Sequence, residues 1–130
     1  MNKTLAKIAE QGVYTGPFET MPGYCLRKCR QAVEQVPGIG TKYDRLFRGN
    51  GTKRDATATR AARRFLAAGL AFRRSELAKR GGLQPGDMPV KTEVARNRWG
   101  DFSGHIGVVC SDVKRIAENS STSIGRVRGA

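Results

Sequence analysis

Residues 104–119 read "GHIGVVCSDVKRIAEN". The run "HIGVVC" is β-branched and apolar. "SDVK" carries turn residues, and "RIAEN" reads as a strand returning beside the first. This hairpin decides the fold class, because nearly everything strongly periodic before it is helical. Helices first and a small antiparallel sheet afterwards argue for α+β and against alternating βαβ units.

Working back from the hairpin, "QPGD" at 84–87 is a tight-turn signal. "DMPVKTEV" then predicts a strand, with Pro89 confining it to an edge or a bulge. "ARNRWGDFSG" reads as a polar loop with one Trp. Forward of the hairpin, a last short strand is expected over Ile124 to Arg128. From about Ala56 to Lys79 the chain is rich in Ala, Leu and Arg, all good helix formers, with Gly69 a point of kinking or breakage. Arg60, Arg63, Arg64, Arg73, Arg74, Lys79 and Arg80 crowd this stretch, as a solvated helix face or an anion-binding one. "TKYDRLF" suggests a further helical turn or two. A helix over about Cys25 to Val36 follows from the 3–4 residue spacing of Leu26, Cys29, Val33 and Val36, and "PGIG" ends it. Asn2 to Gln11 reads as a short helix and "GVYTGPFETMPGY" as loop.

The 130 residues and 38% hydrophobic content predict one domain with one modest core. It divides into an N-terminal helix and loop (1–20), a helical part (21–80) and a sheet part (81–130). No apolar run approaches the roughly 20 residues of a membrane span. The N-terminus lacks the apolar region of a secretory signal, so synthesis in the cytoplasm without an export address is expected. With 24 Lys and Arg against 11 Asp and Glu, the net charge is +13. The resulting positive field attracts polyanions: nucleic acid, anionic wall polymers or acidic membranes. Three cysteines predict reduced thiols, not a disulfide scaffold.

The chain has one histidine, so any imidazole chemistry falls to His105. Cys25 follows Pro22-Gly23-Tyr24 and opens a predicted helix. The exposed N–H groups and positive dipole end there stabilise a thiolate and can also hold an oxyanion. Cys and His together are the minimum apparatus for acyl transfer. An orienter for the imidazole is expected on the returning strand. If Cys110 pairs with Arg115, Gly107 lies opposite Glu118, and Glu118 shares the face of His105. A one-residue slip puts Asn119 there instead. Gly104 beside His105 permits close approach of a second backbone or of substrate. Cys29 and Cys110 read as packing residues.

A Cys opening a helix, then "LQPGD" leading into a strand, then "GHIGVV", then "IAEN" resembles the papain-like peptidases of the NlpC type and the related CHAP amidases. The resemblance covers roughly Met21 to Ser121. It implies a papain-like fold with Cys25 as nucleophile, His105 as base and then acid, and Glu118 or Asn119 as the third residue. It also implies an oxyanion and substrate region formed by Tyr24, Cys25 and Gly104, and no metal or cofactor. Tyr24 stands where those families often have Asp or Gln. The implied substrate is peptidoglycan, at a stem peptide or the amide joining peptide to sugar. A phage tail or lysis apparatus is the implied setting. Two other classes compete: a zinc module built from Cys25, Cys29, His105 and Cys110, and a basic module binding nucleic acid non-specifically through the Arg-rich helix.

Overall fold

The computed structural model describes residues 3–13, 25–113, 115–117 and 124–126, with positions 12, 13, 115, 117 and 124–126 described by backbone alone. The protein is α+β. Helices α1 (Lys3–Ile8), α2 (Cys25–Glu34), α3 (Asp44–Arg48) and α4 (Ala58–Ala67) precede five short strands. These are β1 (Val90–Lys91), β2 (His105–Ile106), β3 (Val108–Val109), β4 (Arg115–Ala117) and β5 (Ile124–Arg126). None of the described helices is long and apolar enough to cross a membrane.

Two small antiparallel sheets, β1-β2 and β3-β4-β5, meet at residues 105–110. Along one edge, Val90 pairs with Ile106 and Lys91 with His105, antiparallel. Backbone hydrogen bonds carry the same register onward, from Gly107 N–H to the Pro89 carbonyl and from Val109 N–H to that of Asp87. Pro89 therefore sits in the ladder as an acceptor only, which is the role its missing N–H allows. Along the other edge, Val108 pairs with Ala117 and Val109 with Ile116. This is the register that sets Cys110 opposite Arg115, the pairing from which Glu118 was placed in the sequence. β5 completes the order β3-β4-β5.

Side chains alternate across a strand, and membership of the core follows that rule, although Val109 on the other face is fully buried as well. Ile106, Val108 and Cys110 enter one core cluster with Cys25, Leu26 and Cys29 of α2, and Met88 and Val90 pack against it. α2 delivers its predicted stripe: Leu26, Cys29 and Val33 are buried, as is Val36 just beyond the helix. Phe47 of α3, 1% exposed, closes the other end of the core, with the Phe65 ring edge-on at 5.0 Å.

The helix expected over Ala56 to Lys79 is shorter than that. It begins after the N-cap Thr57, whose hydroxyl accepts from Arg60 N–H, and ends at Ala67. Gly69, at φ +74°, takes the left-handed conformation that stops a helix, while the N–H of Leu70 reaches back to the Phe65 carbonyl. Beyond it only two 3₁₀ turns form, Arg74–Glu76 and Ala78–Arg80. Helix propensity in 70–80 gives way because those residues bury no continuous apolar face.

The basic face is solvated in part: Arg63, Arg73, Arg74, Lys79 and Arg80 are exposed. Arg60 and Arg64 are tied into the fold. Arg64 donates to the carbonyls of Leu46 at 2.7 Å and of Phe47 and Asp55, each at 2.9 Å. It thereby satisfies carbonyls that the short helix α3 leaves open. Arg60 bridges Asp55 at 3.3 Å and Asp101 at 3.0 Å, and Arg54 joins Asp101 at 3.0 Å.

Candidate active site

Cys25 is the first residue of α2. α2 packs against β2, and β2 begins at His105. The fold thus brings the helix-leading cysteine and the chain's lone histidine onto neighbouring elements, although 80 residues of sequence separate them. Cys25 is 7% exposed, while Cys29 and Cys110 are fully enclosed at 0%. No disulfide joins the three.

The alternation along 105–110 also sets a relationship that the sequence did not decide. Ile106, Val108 and Cys110 face the core that contains Cys25. His105 shares the opposite parity with Gly107 and Val109, and lies directly across from Lys91. Productive contact between His105 and Cys25 therefore has to be made around the start of the strand and not through the packed face. His105 is half-buried there, at the first position of the strand.

Gly104 serves a structural contact. Its φ is +78°, and a Cβ on it would lie 2.5 Å from Thr59 Oγ1, 2.8 Å from the Lys91 carbonyl oxygen and 2.9 Å from Thr59 N. The close approach it permits is to the first turn of α4, whose Thr59 N–H donates to the Ser103 carbonyl at 3.1 Å. The Thr59 hydroxyl donates to the Thr92 carbonyl, also at 3.1 Å. Tyr24, Glu118 and Asn119 lie outside the described residues.

Lys28 was not singled out from the sequence, yet it is only 6% exposed. It stands one turn from Cys25 on the same helix face. Its signal was available: it falls inside the stripe set by Cys25, Cys29 and Ala32, where an apolar residue is expected. The loop 92–104 was also passed over. Its repeated juxtaposition of Arg with an aromatic residue, in "RNRWGDF", was the sign.

Opposite parity of His105 and Cys110 separates two of the four residues that a zinc site would need. Among the described residues, no three His, Cys, Asp or Glu side chains gather to hold a metal ion. Two carboxylates are held in their ionised form by neighbouring donors. Asp55 is held below its ordinary 3.8, chiefly by the hydrogen bond from Asn50 N–H and then by Arg60 and Arg64. Asp101 is lowered chiefly by its hydrogen bond with Arg54, then by Arg60. Both stabilise the wall of arginines around α4.

No family model matches the sequence, and neither a curated protein nor a solved structure matches it.

Proposed function

We propose that this protein is a papain-like cysteine hydrolase that cleaves an amide bond in peptidoglycan. The observation that carries the reading is the packing of α2, which Cys25 opens, against β2, which His105 opens. In the proposed reaction the Cys25 thiol passes its proton to His105 as the sulfur attacks the amide carbonyl. The Cys25 backbone N–H supports the oxyanion. His105 then protonates the departing amine as the tetrahedral adduct collapses to a thioester. Water, deprotonated by His105, hydrolyses the thioester and restores the thiol. Glu118 or Asn119 orients the imidazole. The net charge of +13 draws the enzyme to an anionic wall, and delivery by a phage tail or lysis apparatus fits that role.

A second reading rests on one observation, the parity that turns His105 away from the packed face of Cys25. In it the chain is a basic module that binds an anionic polymer, nucleic acid included, without cleaving it. Digestion of purified sacculi, with mass spectrometry of the released fragments, separates the two. The hydrolase reading expects fragments from wild type and none from a folded Cys25→Ala protein. Intact walls across several peptidoglycan chemistries, with the protein still bound to them, would establish the binding module instead.

A further inference from the structure

The loop between β1 and β2 is an exposed, internally hydrogen-bonded finger whose tip is cationic and aromatic. Its turn is built by Asn97. The Asn97 N–H donates to the Asp101 carbonyl at 2.8 Å, and its Oδ1 accepts from Trp99 N–H at 3.0 Å and Asp101 N–H at 3.1 Å. Below the turn, Ser103 N–H donates to the Ala95 carbonyl and Gly104 N–H to that of Val94. Arg96 donates to the Gly100 carbonyl at 2.7 Å and lies 4.4 Å over the Phe102 ring. Arg98 lies 4.4 Å over the ring of Trp99. At its base the finger is fixed to α4 through Thr59, and its Asp101 is held by Arg54 and Arg60.

Trp99 remains 36% exposed and Val94 38%, and Arg96 and Arg98 are exposed beside them. Asp101 is already satisfied by two arginines, so the tip presents positive charge. Its own hydrogen bonds hold the backbone, so little ordering is required when something binds.

We infer that this finger docks an acid-bearing glycan–peptide unit of the wall polymer, with a sugar ring lying on the exposed part of the Trp99 indole and a stem-peptide carboxylate taken by Arg98. Guanidinium groups match carboxylates in a planar, two-bond geometry. An exposed indole beside one supplies the flat apolar face that a pyranose needs. A single-stranded nucleic acid fits less well, because binding it calls for successive aromatic platforms along a basic track. Here each ring carries an arginine, Phe102 under Arg96 and Trp99 under Arg98, and Trp99 alone of the two is exposed, the other being half-buried. The finger's C-terminal foot is Gly104-His105, so it runs directly into the candidate catalytic strand. The inference rests on the hydrolase reading for its choice of polymer.

Trp99 is the chain's one tryptophan, so its emission reports on the tip directly. The test titrates soluble, uncleaved glycan–peptide fragments from sacculi into Cys25→Ala protein. A saturable emission change is expected, with half-saturation raised roughly tenfold in Cys25→Ala/Arg98→Ala, as for an interface hot spot. Fragments with amidated carboxylates should bind correspondingly less well. An equal response to a single-stranded DNA oligonucleotide would overturn the glycan assignment, as would binding indifferent to Arg98. The two proposals fail separately. Wall digestion by wild type with KM unchanged in Arg98→Ala overturns the finger and leaves the hydrolase. Arg98-dependent fragment binding with no digestion by wild type supports the finger and overturns the hydrolase.

Discussion

Gly104 and Thr59 are in van der Waals apposition that leaves no room for a side chain: a Cβ on Gly104 would meet the Thr59 hydroxyl, its amide nitrogen and the Lys91 carbonyl, all within 2.9 Å. Two of those three atoms are backbone and cannot swing aside. The backbone at Gly104 is also left-handed, at φ +78°. Gly104→Ala is therefore expected to destabilise the fold by about 3 kcal/mol, combining backbone strain with overpacking. A lowered urea midpoint with an unchanged m-value would bear this out. A loss under about 0.5 kcal/mol, the range of ordinary surface substitutions, would mean that α4 does not press on the strand as described.

Acid should loosen the α4 wall. Asp55 and Asp101 have folded pKa values below their ordinary 3.8, so their ionised forms favour the folded state. That contribution is complete above about pH 5 and disappears as the pH falls through the folded values. Urea midpoints should drop between about pH 5 and pH 3. In Asp101→Asn the neutral-pH midpoint should be lower and the drop shallower. Parallel pH curves for the two proteins would remove Asp101 from the account.

Arg64 acts as a cap made from a distant helix. Arg64→Met keeps the aliphatic stem but strands three carbonyls, at Leu46, Phe47 and Asp55. The expected loss is about 2–3 kcal/mol, the range for hydrogen bonds made by charged groups. Arg64→Lys should recover only part of it, since an ammonium lacks the planar fork. Full recovery by Lys would point to charge alone.

Thiol reactivity should follow enclosure. Cys25, 7% exposed at a helix start, is expected to alkylate well before Cys29 and Cys110, both at 0%. Mass mapping after brief treatment with iodoacetamide near neutral pH gives the order. Equal rates for all three would count against an activated Cys25.

Phe47 anchors the core between α3 and α4. Phe47→Ala should cost about 3–5 kcal/mol, the usual range for emptying a buried aromatic site. Thermal unfolding with matched far-UV spectra before the transition would measure it.

Much of this architecture was readable before any coordinates. The stripe of Leu26, Cys29, Val33 and Val36 named the buried face of α2, because a 3.6-residue period leaves few alternatives. The hairpin register could be stated as a condition on Cys110 and Arg115, since turn length and alternation allow few pairings. What stayed hidden was tertiary. Arg60 and Arg64 read as part of a solvated or anion-binding face because their partners, Asp101 and the Leu46 and Phe47 carbonyls, are far away in sequence. The helix over 56–79 was overextended because propensity is local, whereas the face that would have held residues 70–80 helical is missing. The side on which His105 emerges depends on which face of the sheet α2 covers, and periodicity along one strand carries no such information.

One contact bears on how the molecule is made. Glu10 accepts hydrogen bonds from both the amide and the hydroxyl of Ser111, 101 residues onward, just where the chain turns from β3 toward β4. That contact therefore cannot form until residue 111 has left the ribosome. β1 and β2 likewise find each other only after the finger between them is complete. Long-range closures of this kind slow folding. A nascent chain halted before residue 111 is expected to remain protease-sensitive and to expose the apolar face of α2 to chaperones. The packing around Cys25, which includes Ile106, Val108 and Cys110, is then completed only after those strand residues have emerged, so the environment of this thiol is set late and from far along the chain.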